Sequence, residues 1–499
     1  MPNTSSINSG ILVVALAALC GIGVAYSSWR TSVAAIVFGA VIATLVVARK
    51  LLSADPGAAV ATIEPEPRAH DELRVPRLAF YAGAGTIGLL TVRPALSFTA
   101  SDWIFLACFG LTCLALFTSR ADRDYLIPAL ITVGVGLFAV GGFVSSFGAV
   151  APLGSASIIA RLLYLTIIWF WLATVLLETR RHVEIATMAW VGAAALSASG
   201  ALLQLAYGNV IPGGDSAWGR MTGFTPHYNH LGGLVAIAFV PALMLAIDSP
   251  HRRVRFFGTG VIGLLAVGLL MSGSVGGLLA TLCAVTFWVA IRGVTQQTAL
   301  RLTTVVVAGL VLVVTTGATG DPIERVERVT SAEEAAAGTG GSLFTRLDGY
   351  REAWTRISEQ PLIGVGLDEG SSVEVLGPKL VHNMLINQWF TAGILGLIGI
   401  VTLIVGVVVT GARIVRSSTG ELRALSSALL AALVAFVVFG MGEPILFVRY
   451  GWFPAALLVA LHAQARRAER AVSVDARRRA TSASHLPAMS RRPGWAAHS

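Results

Sequence analysis

The chain has 499 residues, 55% hydrophobic and only 13% charged, about half the charge share of an ordinary soluble domain. With a mean hydropathy of +0.75, this excludes a soluble globular enzyme and predicts an all-α, polytopic transmembrane helical bundle. The formal charge of +9 would suit nucleic acid, but the surplus lies in short loops between apolar runs and in the C-terminal tail, so nucleic acid is not expected as a partner.

Runs long enough to cross about 30 Å of hydrocarbon predict about fourteen spans, near 10–27, 32–48, 76–92, 102–118, 125–148, 158–177, 184–206, 229–247, 255–272, 274–292, 299–317, 384–411, 423–440 and 446–463. No Lys or Arg precedes the first of them in the opening ten residues, so no cleavable signal peptide is expected. Cys20, Cys108, Cys113 and Cys283 all fall inside apolar runs without metal-ligand spacing, as small apolar filler. The expected organisation is an N-terminal transmembrane pair (1–52), a Pro/Ala-rich cytoplasmic linker (53–75), a transmembrane bundle (76–317), a large extracytoplasmic loop (318–383), C-terminal transmembrane helices (384–463) and a basic, disordered cytoplasmic tail (464–499).

Basic residues set the direction. With both termini inside, "SRADRD", "ETRRH", "DSPHRRVR", "RGVTQQTALR" and "ARIVRSSTGELR" are all cytoplasmic loops. The outer loops are poor in Lys and Arg apart from Arg30, Arg93, Arg220 and the long loop.

By this topology the polar chemistry lies outside. "GRMTGFTPHYNHLGG" (219–233) leads into the eighth span with an arginine, two histidines and an asparagine. In the long loop, Asp321 is placed to cap a helix starting at Pro322. Further on, Thr345 and Asp348 have capping-box spacing, and Leu347, Tyr350, Trp354 and Ile357 share one face of an amphipathic helix that Pro361 ends. The loop closes on His382 and Asn383 at the start of the twelfth span.

These stretches resemble a known family. "RMTGFTPHYNHLG" is similar to the arginine-containing motif that precedes a span in the O-antigen ligase and O-antigen polymerase superfamily. "REAWTRISEQPLIGVG" followed by "HNMLINQWFTAGILGLIG" resembles that family's large periplasmic loop and the helix after it. The resemblance covers about 219–400, with a fainter echo at "LLMSGSVGGLLA". It implies a metal- and cofactor-independent integral-membrane glycosyltransferase in a bacterial inner membrane. The donor would be a glycan on a polyprenyl-pyrophosphate carrier, and the acceptor a glycan, lipid or protein hydroxyl on the outer face.

Residue by residue, the resemblance puts Arg220 at the family's arginine and His382 at its histidine. A guanidinium fork matches a pyrophosphate leaving group, and an imidazole suits removal of the acceptor hydroxyl proton. Asn229, His227, Asn383, Arg346 and Tyr350 are candidate substrate contacts. For each of these a structural role, such as helix capping or packing, is the competing reading. The family's second arginine, in "SR-G-G", is replaced here by Val275; Arg161 or Arg449 could supply that charge, and Arg449 could instead pair with Glu443. A metal-dependent lipid-phosphate-sugar transferase would need outer-loop carboxylates, where the early outer loops offer only "SSWR" and a lone Asp102. The alternatives left open are a lipid-linked glycan transporter or flippase, which would line its midplane with polar residues, and an inactive family member.

Overall fold

The computed structural model describes residues 71–93, 98–119, 126–209, 219–292, 342–377 and 379–484. The spans expected at 10–27, 32–48 and 299–317, and the Asp321-capped helix, lie outside them. Every regular element among the described residues is a helix. A short 3₁₀ turn, Asp71–Leu73, leads into α1 (Arg74–Thr86); then come α2 (Ala100–Ser119), α3 (Ala129–Ser146), α4 (Pro152–Leu163), α5 (Trp169–Leu176), α6 (Arg180–Tyr207), α7 (Tyr228–Asp248), α8 (Arg252–Ser272) and α9 (Val275–Arg292). After the 293–341 stretch follow α10 (Ser342–Glu359), α11 (Glu369–Leu376), α12 (Met384–Ser417), α13 (Gly420–Gly440) and α14 (Arg449–Ser484). A π turn, Tyr164–Ile168, joins α4 to α5.

Nine helices among the described residues are long and apolar enough to cross a membrane, with α4 and α5 counted as one. They coincide with nine of the expected spans. The other two expected spans in this range fall on different material. α1 has only 13 residues, too few for about 30 Å of hydrocarbon. α14 carries polar residues from His462 onward, yet its first half is the most enclosed part of the bundle: Phe453 lies among Phe80, Phe105, Trp169 and Trp190.

α14 also continues past residue 464, through the segment expected to be disordered, as far as Ser484. Gln464 Nε2 donates to the Leu177 carbonyl at 2.7 Å and an Arg467 nitrogen to that of Thr174 at 2.8 Å. These bonds and the helix-favouring Ala/Arg/Glu composition sustain the extension.

Burial orders the bundle from inside to outside. The apolar window of α7 is 83% buried, against 28% for α2. Large apolar side chains such as Phe117, Leu153 and Phe256 are exposed on the outer helices, as a lipid-facing belt requires. α3 and α12 meet backbone to backbone, because Gly134 and Gly399 have no side chain to hold the helices apart.

Side-chain bonds mark the two ends of the bundle. At one end Arg180 pairs with Glu421 and Arg292 with Asp248, and Arg77 bonds Glu178 at 3.2 Å. The opposite end gathers the starts of α7, α9, α12 and α14 and the finishes of α6, α8 and α13. It holds Arg220 and His382.

α12 is two helices in line. Gly393 interrupts it with φ 70° and ψ −172°, a conformation open to glycine and costly for other residues. The 361–366 loop fills the break: Val365 and Gly366 amides donate to the Phe390 and Thr391 carbonyls at 3.0 Å each, and the Ile394 amide to the Pro361 carbonyl at 3.2 Å. The freed backbone groups are thereby satisfied where water is scarce.

Candidate functional site

The 219–227 loop is tied down by α6. Gln204 Oε1 accepts the Thr222 and Gly223 amides at 2.9 and 2.8 Å, while its Nε2 donates to Thr222 Oγ1 at 2.8 Å. Ser197 Oγ accepts the Phe224 amide at 3.2 Å. On the other side the Met221 amide reaches the Met271 carbonyl at 2.9 Å.

Arg220 is clamped within this frame. Its Nε donates to the Ser272 carbonyl at 2.8 Å and a terminal nitrogen to Asn229 Oδ1 at 2.9 Å. The guanidinium also lies over the Tyr228 ring, 3.4 Å from its centroid, a cation–π contact that holds the plane of the fork. Val275, at the family's second arginine position, starts α9 just beyond the Ser272 turn and is 65% exposed.

Glu443, in the turn between α13 and α14, is the hub of the site. Asn229 Nδ2 donates to its Oε1, Arg346 donates to the same oxygen at 2.9 Å, and His382 Nδ1 lies 3.2 Å from Oε2. Burial would raise the Glu443 carboxyl, but the His382 hydrogen bond and the charges of Arg346 and His382 outweigh it and hold the group below the usual carboxylate range. Three bonds thus connect Arg220 to His382: Arg220 to Asn229, Asn229 to Glu443, and His382 to Glu443.

His382 is held from behind as well. α10 begins at Ser342, three residues before the expected Thr345 start, and packs Leu347, Tyr350, Ala353 and Ile357 against Leu376, Val381 and Phe390. Trp354 sits at the edge of that face, its ring 5.6 Å from Trp389. Tyr350 Oη donates to the His382 carbonyl at 2.7 Å. With its ring buried and its hydroxyl raised by that burial, Tyr350 fixes the histidine backbone.

Three more of the expected site residues have partners within the protein. Asn383 is buried as the N-cap of α12, its Oδ1 accepting the Leu385 and Ile386 amides at 3.0 Å each, so it shapes the helix start. His227 caps α7, its Nδ1 accepting the Asn229 amide at 3.2 Å. That role needs a neutral ring, and its pKa falls to about 4, with burial the largest cause and Glu443 opposing. Arg449 does not pair with Glu443. It grips Asp102, with Nε 2.7 Å from Oδ1 and a second nitrogen on Oδ2. Arg161 lies three residues before Tyr164, whose Oη donates to the Asp102 carbonyl at 3.1 Å.

Glu443 is the functional candidate that sequence reading missed as a site residue, since it entered only as a possible partner of Arg449. Its signal was available: a lone carboxylate in "GMGEPILFVR", between two apolar runs, is expensive at a membrane helix end unless it has a use.

Residues 260–401 match the family model described as O-antigen ligase. The match spans the Ser272 turn, Arg346, His382 and Asn383, and stops short of Arg220 and Glu443 on either side. It supports the family resemblance and, with the membrane-length helices, an integral-membrane glycosyltransferase-like role. No curated protein matches the chain.

Proposed function

We propose that this O-antigen-ligase-like membrane protein transfers a glycan from a polyprenyl-pyrophosphate carrier to an acceptor hydroxyl, with the Glu443 end of the bundle facing the extracytoplasmic side. The observation that carries the reading is the chain Arg220–Asn229–Glu443–His382, which joins a cation suited to pyrophosphate with a base suited to a hydroxyl.

The chemistry divides along that chain. Glu443 accepts the Nδ1–H of His382, which leaves the Nε2 lone pair to take the proton. The acceptor oxygen attacks the anomeric carbon from the face opposite the carrier, and its proton passes to Nε2. The bond from that carbon to the pyrophosphate oxygen breaks with both electrons staying on the oxygen. The released charge is met by the Arg220 guanidinium, an interaction of a kind worth about 3–4 kcal/mol in the transition state. Attack from the opposite face inverts the anomeric centre. Because α10 supports His382 and Arg346 reaches Glu443 from the same helix, the long loop is part of the site and shapes the acceptor entrance. Whether that acceptor is lipid A core, a growing chain or a protein depends on that shape.

The test is turnover of a purified lipid-linked donor by the full chain. Arg220→Ala and His382→Ala are each expected to lower product formation by about a hundredfold or more, with the protein still in the membrane and EDTA without effect on the native chain. Native-like turnover by either variant removes that residue from the mechanism.

A further inference from the structure

A second group of arginines lies at the same end of the bundle, around Asp102. Both oxygens of that carboxylate are taken. Arg449 grips it with two nitrogens, and the Thr99 amide and hydroxyl donate to Oδ2 at 2.8 and 2.9 Å. The Asp102 side chain is 2% exposed, so no further cation can share it. Arg93 comes to the same helix start, because the carbonyl of its neighbour Val92 accepts the Ala100 amide at 2.9 Å. One helical turn on from Arg161, Tyr164 Oη donates to the Asp102 carbonyl at 3.1 Å, which fixes α4 against the start of α2.

Three guanidiniums and one carboxylate leave two positive charges. Arg161 makes no hydrogen bond or ion pair with any described residue, and Arg93 makes among them a single long contact, 3.5 Å from Nε to the Leu90 carbonyl. Both side chains belong to exposed residues. Arg161 is the tenth residue of α4, about 14 Å along the helix axis from its start. An arginine at that depth in a membrane helix is costly without a counter-charge. The same elements carry exposed apolar side chains: Leu163 is 37% exposed, Trp103 39% and Phe98 40%, and the Phe98 and Trp103 rings meet edge to face at 5.7 Å.

We infer that Arg161 and Arg93, braced by the Arg449–Asp102 pair, form a binding site for the phosphate group of a lipid, separate from the Arg220 centre. The fork geometry suits phosphate oxygens, and the exposed aromatic and aliphatic side chains suit the glycerol or prenyl segment next to such a phosphate. Two sources share this chemistry, a phospholipid headgroup and the diphosphate of a prenyl carrier.

Native mass spectrometry of the purified full chain separates them, with phosphatidylglycerol and farnesyl diphosphate as probes. The diphosphate arm is run in an Arg220→Ala background so that the first cation centre does not contribute. Arg93→Ala combined with Arg161→Ala is expected to weaken one probe at least about tenfold. Arg93→Gln with Arg161→Gln, which keeps side-chain length and removes charge, is expected to do the same. Arg161→Lys, a point charge without the fork, loses less. Loss confined to phosphatidylglycerol identifies a headgroup site; loss confined to farnesyl diphosphate identifies a carrier site. Unchanged binding of both probes overturns the inference. The turnover of Arg220 and His382 variants is a separate readout, so this site can fail without the proposed reaction failing, and the reverse.

Discussion

Asp102 and Glu443 lie at the same end of the bundle, each facing arginine, yet they are partnered differently. Asp102 is 2% exposed and holds one arginine by two nitrogens, with Thr99 on the remaining lone pairs. Glu443 is 14% exposed and divides its oxygens among an amide, a guanidinium and an imidazole from three different helices or loops. The first arrangement is saturated and dry, and it locks α2 to α14. The second includes an imidazole, and it opens toward solvent at His382, whose side chain is 24% exposed. A buried ion pair by itself says little about function; whether its members can change state and reach a ligand says more.

Substitutions can break that contrast, beginning with the lock. Asp102→Ala strands Arg449 at 13% exposure and is expected to lower stability by about 3–5 kcal/mol, read as a fall in unfolding temperature in detergent. Glu443→Gln keeps the shape of the hub and removes its charge. Turnover is expected to fall about a hundredfold, with a smaller stability change than Asp102→Ala produces; a loss of stability equal to that of Asp102→Ala would make Glu443 a lock too. Arg346→Ala should reduce turnover about tenfold, since it removes one charge-assisted bond to Glu443 and leaves His382 in place. Tyr350→Phe removes only the bond to the His382 carbonyl and is expected to cost about 1 kcal/mol of stability.

Acid titration sharpens the same comparison. The folded-state pKa of Glu443 is depressed, so its stabilisation is complete above the ordinary glutamate value of about 4.3. It is lost as pH falls through the lower folded value. Unfolding temperature measured from pH 5 downward should therefore drop less steeply in Glu443→Gln than in the native chain. Identical slopes would remove Glu443 as the source of that acid sensitivity.

Much of the scaffold was legible in the sequence, because apolar runs of membrane length have few alternatives to helix. The motif around Arg220 and the "HN" pair were legible too, and the structure brings them to one end of the bundle. Side-chain partnership was not. Glu443 is six positions from Arg449 in the chain, yet Arg449 bonds Asp102, 347 residues away, because the first half of α14 packs beside α2 and the Tyr164–Ile168 turn while the turn before it meets α7 and α10. Tyr350 and Asn383 carry residue types that bind sugars as readily as they pack or cap, and only burial separates the two uses. The break in α12 was likewise hidden: "FTAGILG" reads as uninterrupted membrane helix until the 361–366 loop is seen filling it.

That break makes His382 the tip of a short lever. The post from 384 to 392 is separated from the rest of α12 at Gly393, braced by the 361–366 strap and carried sideways by α10. A side chain at position 393 would run into the Leu362 carbonyl, and the strain would travel along the post to the imidazole without disturbing any contact of Arg220. Gly393→Ala should thus misalign the base while sparing the cation, uncoupling the two halves of the catalytic apparatus from a fulcrum outside both.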